Sequence, residues 1–185
     1  MLLWITPAQS DAIVAHTEHE SPREACGLIG GTIQNGVYRA VEIIPIANRA
    51  DDPIHHFRMD DSALVKTLFG FEARGLVLVG IYHSHPQGKP IPSAEDAASG
   101  YYPGTPYLIV GRDHDSAVFA VWELRHRQVT PAILHIALDA PLPTDVPRAP
   151  SSVIPVAVII SAVLATIFMI VLSLSLLPPA PDIVR

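Results

Sequence analysis

The chain has 185 residues, a formal net charge of −6, 16% charged side chains and 49% hydrophobic ones. That length holds one ordinary domain plus an appendage, and an acidic chain without a basic run offers no surface for nucleic-acid phosphates. The one cysteine, Cys26, excludes an intramolecular disulfide and fits a reducing compartment.

The opening "MLLWITPAQS" is too short an apolar start, with no basic region before it, for a secretory signal peptide. "TPAQSDAIVAHTEHES" begins as a helix, with Thr6 as N-cap, Pro7 in the first turn and Gln9 in the capping-box position. "ACGLIGGTI" and "VYRAVEIIPI" are β-rich runs on either side of "QNG", a hairpin signal around Asn35 and Gly36. "DDSALVKTLFGFEAR" reads as a second helix capped by Asp60 or Asp61. The continuous apolar run "LVLVGIYH" suits a central strand covered on both faces. A short helix can start at Ser93, and "PYLIVG", "AVFAVWEL" and "QVTPAILHIAL" supply three more strands. A helix, a hairpin, a helix and further strands predict an α/β or α+β sandwich with one main sheet over residues 1–137.

Residues 138–152, "LDAPLPTDVPRAPSS", are rich in Pro, Ser and Asp and read as an extended, semi-stiff linker. Residues 153–177 then run 25 positions without a charge. About 20 apolar helical residues cross a bilayer core, so this stretch predicts a transmembrane helix. The tail 178–185, "PPAPDIVR", is short. A span so near the end would leave the ribosome only after synthesis stops. The expectation is a single-pass tail anchor with the globular domain in the cytoplasm. Arg148 before the span and Arg185 after it do little to orient it.

The chemistry concentrates in "IYHSHPQGKPIPSAED", Ile81 to Asp96. On a strand, residues i and i+2 share a face, so His83 and His85 form a chelating pair at the end of the central strand. A proline- and glycine-rich loop can then bring Asp96 back as a third ligand. Three protein ligands with one open position is the pattern of catalytic zinc sites. "SAED" is also a helix start, with Ser93 as N-cap and an acid three residues on. The two readings are compatible, since a capping turn can position a ligand. His55 and His56 could be further ligands, but a surface or loop-packing role is preferred. Cys26 reads as a small buried residue, Ser84 as packing and Trp122 as core.

"HSHP", the seven residues from Pro86 to Pro92, and "SAED" together spell H-x-H-x7-S-x-x-D. This resembles the JAMM (MPN-plus) metalloprotease motif. "PREACGLIGG" supplies the upstream glutamate that the family uses, Glu24, and the resemblance extends through "HFRMD" and "PYLIVG". It implies a cytidine-deaminase-like α/β (α+β) core, with a mixed central sheet flanked by helices. It also implies Zn²⁺ on His83, His85 and Asp96, Glu24 as the catalytic base and proton carrier, and Ser93 as oxyanion donor. The implied reaction is isopeptidase- or deubiquitinase-like. It cuts a peptide or isopeptide bond after the C-terminal Gly-Gly of a ubiquitin-like or sulfur-carrier protein. Two other readings stand beside it: a non-catalytic MPN scaffold, and a RadC-like DNA-associated protein. The acidic charge argues against the second.

Overall fold

The computed structural model describes residues 1–98, 102–114, 116–125 and 127–140. The linker beyond residue 140, the apolar stretch 153–177 and the tail 178–185 lie outside the described residues. Among the described residues no helix is long and apolar enough to cross a membrane.

The described chain forms seven strands and three helices. Strand β1 is Leu2–Ile5 and helix α1 is Pro7–Glu20. Thr6 Oγ1 accepts the Gln9 N–H at 3.2 Å, and Gln9 Oε1 accepts the Thr6 N–H at 2.8 Å. This reciprocal box satisfies two otherwise unpaired helix-end donors; losing such a cap typically costs about 1 kcal/mol. β2 (Cys26–Gln34) and β3 (Val37–Ile46) form the expected hairpin. Its turn needs Asn35 and Gly36 at φ of 50° and 79°, a left-handed conformation that Asn tolerates and Gly adopts freely. Helix α2 (Asp61–Ala73) starts where Asp60 accepts the Ala63 N–H at 2.9 Å. β4 (Val77–Ser84), α3 (Ala94–Ala98), β5 (Pro106–Asp113), β6 (Ser116–Arg125) and β7 (Gln128–Ile136) complete the chain order.

The strand order β1-β3-β2-β4-β5-β6-β7 closes on itself as a barrel. The sheet is mixed, as expected: β4 runs parallel to β5, and β1 runs parallel to both β3 and β7. Closure was not expected. It depends on β1, a strand of only four residues, too few to show a period. Leu2, Leu3 and Ile5 are fully buried in it.

β2, β4 and β5 are covered on both sides. One face packs Ile29, Tyr82 and Leu108 with Ile13 of α1. The other packs Leu28, Ile81 and Tyr107 with Phe71 of α2. This double burial explains why β4 is a continuous apolar run instead of an alternating one. It also makes the end of β4 a rigid platform for His83 and His85.

Candidate metal centre

His83 is the penultimate residue of β4 and fully buried. His85 lies just beyond the strand, where its N–H donates to the Val110 carbonyl of β5 at 2.8 Å. The loop after it lies against β5. Arg112 N–H donates to the Gly88 carbonyl at 2.8 Å, and Trp122 Nε1–H to the Pro90 carbonyl at 2.8 Å. Gly111 permits this approach, since a side chain there would run into the backbone of Lys89 and Pro90. The loop thereby brings the Lys89 carbonyl to 3.0 Å from His85 Nδ1. A carbonyl only accepts, so Nδ1 carries the proton. In the neutral ring Nε2 is then a bare donor atom.

At the far end of the loop, Ser93 and Asp96 form a second reciprocal box. Ser93 Oγ accepts the Asp96 N–H at 3.0 Å, and Asp96 Oδ2 accepts the Ser93 N–H at 2.7 Å. The two readings of "SAED" are thus one structure. The capping turn holds the Asp96 carboxylate with Oδ1 at 3.4 Å from His83 Nε2 and Oδ2 at 3.5 Å from His85 Nε2.

The two Nε2 atoms are 3.1 Å apart, and the three side chains together form a group that can hold a metal ion. A tetrahedral ion with bonds of about 2.0–2.2 Å spaces its ligand atoms about 3.3–3.6 Å apart. The two Nε2 atoms stand just under that spacing, and His83 Nε2 and His85 Nε2 lie 3.4 and 3.5 Å from the two different carboxylate oxygens of Asp96, so all three side chains stand near ligand spacing. The donor set of two imidazoles and one carboxylate also fits a borderline-soft divalent ion.

Glu24 joins this group through strand register. β2 and β4 pair Cys26 with His83. Continuing the antiparallel pairing sets Ala25 beside Ser84 and Glu24 beside His85. Ser84 N–H donates to the Ala25 carbonyl at 2.9 Å, and Ser84 Oγ accepts the Ala25 N–H at 2.9 Å. Ser84 therefore does more than pack: its hydroxyl ties down the residue next to Glu24. The Glu24 carboxylate reaches 4.0 Å from His85 Nε2 and is only 6% exposed.

The electrostatics are set by burial. Desolvation, helped by the nearby Asp96 carboxylate and opposed by His85, pushes the Glu24 pKa up to about 7. Desolvation likewise lowers the pKa of His83, outweighing the pull of Asp96, and keeps the ring neutral. Burial alone would lower His85, but the Asp96 carboxylate and the Lys89 carbonyl reverse it, so its pKa is raised. Burial would raise Asp96, but hydrogen bonds from both imidazoles hold it well below the usual carboxylate range. A cation held by both Nε2 atoms would take over the attraction that now draws the two imidazoles to the Asp96 carboxylate.

The segment between β3 and α2 completes the surroundings. Asn48 is buried, and its amide donates to the Glu24 carbonyl and the His56 carbonyl, each at 2.9 Å. Its Oδ1 accepts the N–H groups of Ala50 at 2.9 Å and Arg58 at 3.1 Å. Between His56 and Arg58, the Phe57 ring stacks on His83, with centroids 4.4 Å apart and planes at 20°. Phe57 also lines an open cleft of about 740 Å³, together with Met59, Leu64, Ile81, Glu95 and Tyr107. Sequence reasoning passed over Asn48 and Phe57. The only pointer to Phe57 was its place in "HFRMD".

His55 and His56 stay outside the metal group. Their Nδ1 atoms pair with Asp52 and Glu95, each at 2.9 Å, as loop contacts. Cys26 is buried, its thiol 3.4 Å from the Ile46 carbonyl, and burial pushes its pKa up to about 12. That thiol is inert. Trp122 packs beside the α2-facing core.

Comparisons with known proteins agree with this geometry. Residues 7–125 match the family described as prokaryotic homologues of the JAB domain. A desampylase of Haloferax volcanii is 34% identical over 107 residues, 56% of this chain and 76% of the relative. A probable TtuB-protein conjugate cleaving protease of Thermus thermophilus is 35% identical over 114 residues, 61% of this chain and 72% of the relative. A protein of Desulfitobacterium hafniense solved in solution superposes with a TM-score of 0.68 at 27% identity, covering 75% of this chain and 94% of its own. With more than half of its length matched, and the motif residues drawn together at one strand end, the chain belongs to the family of prokaryotic JAB-domain homologues.

Proposed function

We propose that this chain is a zinc-dependent hydrolase that cuts the peptide or isopeptide bond after the C-terminal Gly-Gly of a ubiquitin-like or sulfur-carrier protein. It is a JAMM-type peptidase by class. The observation that carries the reading is the placement of a buried carboxylate, Glu24, 4.0 Å from one imidazole of the His83, His85 and Asp96 group. One relative is named a probable TtuB-protein conjugate cleaving protease and another a desampylase, and these names support the substrate class. A scaffold has no need of a buried acid beside an assembled ligand set. The matched family and the names of the relatives also give no support to a DNA-associated role.

His83, His85 and Asp96 would hold Zn²⁺, which supplies Lewis acidity and makes water a nucleophile near neutral pH. Glu24 takes a proton from the attacking water and delivers it to the departing amine as the C–N bond breaks. Its role rests on reach and on shielding from bulk solvent. Ser93 Oγ already accepts the Asp96 N–H, and a hydroxyl accepting one bond still has its own hydrogen to donate. That hydrogen serves the oxyanion growing on the substrate carbonyl; one such donor contributes about 3 kcal/mol in other hydrolases. A Gly-Gly tail suits the site because no side chain stands between its backbone and the ligands. The cleft beside Phe57 leaves room for the extended chain leading to it.

The experiment uses the full chain in detergent and a carrier protein fused through its Gly-Gly end to a reporter. Cleavage is expected after the second glycine only, lost on chelation and restored by Zn²⁺. Zinc-loaded protein that leaves such fusions intact would overturn the reading.

For residues 153–177 we propose a single membrane-spanning helix that holds the domain on the cytoplasmic side. Support comes from 25 consecutive uncharged residues and, for the orientation, from the lone cysteine. Protease added to sealed spheroplasts should leave the domain intact. Deleting residues 151–185 should release the protein from the membrane fraction in high salt. Digestion in sealed spheroplasts, or retention of the truncated chain, would refute the anchor or its orientation.

A further inference from the structure

We infer that Phe57 is a positioning residue for the metal ligand His83, holding the ring by its face because no hydrogen bond holds it by its edge. The inference rests on the proposed metal centre. A metal-ligating histidine normally donates its second N–H to a carbonyl or carboxylate, which fixes the ring. His85 obeys that rule through the Lys89 carbonyl at 3.0 Å. His83 does not. Its Nδ1 is buried and has no hydrogen-bond partner among the described residues.

Phe57 stands where that restraint is missing. Its ring lies nearly parallel to His83, 4.4 Å away at 20°, so rotation of the imidazole out of its plane would drive it into the phenyl ring. The stack fixes the plane, and the Nε2 atom in that plane faces Asp96 and His85. A ring that gives electron density to a cation also becomes more positive, and an aromatic face favours a positive neighbour. The contact should therefore strengthen when the ligands are loaded.

Phe57 is itself held from both sides. The His56 carbonyl before it and the Arg58 N–H after it bond to the one buried Asn48 side chain, at 2.9 and 3.1 Å. His56 also reaches Glu95, beside Asp96, at 2.9 Å. The short segment that carries Phe57 thus connects to the base through the Asn48–Glu24 bond and to the third ligand through Glu95.

The test is zinc binding to the metal-free full chain, read by competition with a chromophoric chelator, along with the rate of zinc loss to excess chelator. Phe57→Ala should weaken binding by about 10–100-fold, the usual cost of removing a group that orients a ligand, and speed zinc release. Phe57→Tyr keeps the flat face and should stay near the native value. Phe57→Leu keeps the bulk but loses the face and should fall between them. Thermal unfolding of the metal-free proteins checks that the fold survives; if the alanine variant is unfolded, the leucine–tyrosine pair decides. Native affinity in Phe57→Ala, or in Phe57→Leu, would overturn the inference while leaving the metal centre intact. No zinc uptake by the native chain would overturn the metal-centre reading, and this inference with it.

Discussion

Glu24→Gln is expected to lower the turnover number by about 10²–10⁴-fold, the range assigned to a well-placed proton carrier, while zinc content and thermal stability stay near native. The glutamine keeps the shape and polarity of the side chain at a position only 6% exposed. The Asn48 bond to the Glu24 backbone carbonyl and the Ser84 bonds to Ala25 do not involve the side chain, so the strand mouth should keep its form. The amide cannot take a proton from water and return it to an amine. Because the loss falls on the chemical step, KM for a Gly-Gly fusion should change little. Steady-state kinetics with metal analysis on the same samples checks this. Near-normal turnover in a zinc-replete variant would remove Glu24 from the mechanism.

His83→Ala is expected to abolish both metal uptake and activity. It deletes a ligand outright, so affinity should fall by more than the ~10–100-fold that orienting partners cost. Native protein at a zinc concentration near 100 times its dissociation constant should gain about 2.7 kcal/mol of stability from binding, visible as a rise in unfolding temperature. The variant should show no such rise. Elemental analysis of the purified variant gives the direct answer, and wild-type-like zinc in it would sink the ligand assignment.

These two variants separate the parts of the site. One empties the metal group and spares the base; the other does the reverse. A scaffold domain could still lose metal in His83→Ala, but neither variant would cost it turnover, because it has none to lose.

The local elements were legible because each announced itself within a few residues. Thr6 with Gln9, Asn35 with Gly36, and Asp60 before an apolar helix face each state a boundary through a specific backbone need. The ligands His83, His85 and Asp96 were legible through spacing, since sixteen residues of strand end, loop and capping turn hold them all. Phe57 and Asn48 were not. Their importance lies in a stacked ring 26 positions away in the chain and in bonds that gather four backbone groups. No periodicity signals either one.

The sequence by itself determined which chemistry the chain carries: two imidazoles at i and i+2, an acid on a capping turn, a further acid before a β-run, and an uncharged stretch long enough for a bilayer. Those are matters of residue type and short spacing, set by the geometry of one strand or one turn. Only the tertiary structure decided that β1 closes the sheet, since four residues become a strand only when β3 and β7 lie on either side of them. It also decided the distance between Glu24 and His85. They stand 61 positions apart, and it is the β2–β4 register, pairing Cys26 with His83, that sets the carboxylate 4.0 Å from the imidazole. A slip of one residue would turn every side chain of the strand to the other face. With both faces apolar, it is fit that opposes the slip: Gly27 makes room for the Tyr82 ring and Gly30 for the Phe71 ring, where any side chain would collide.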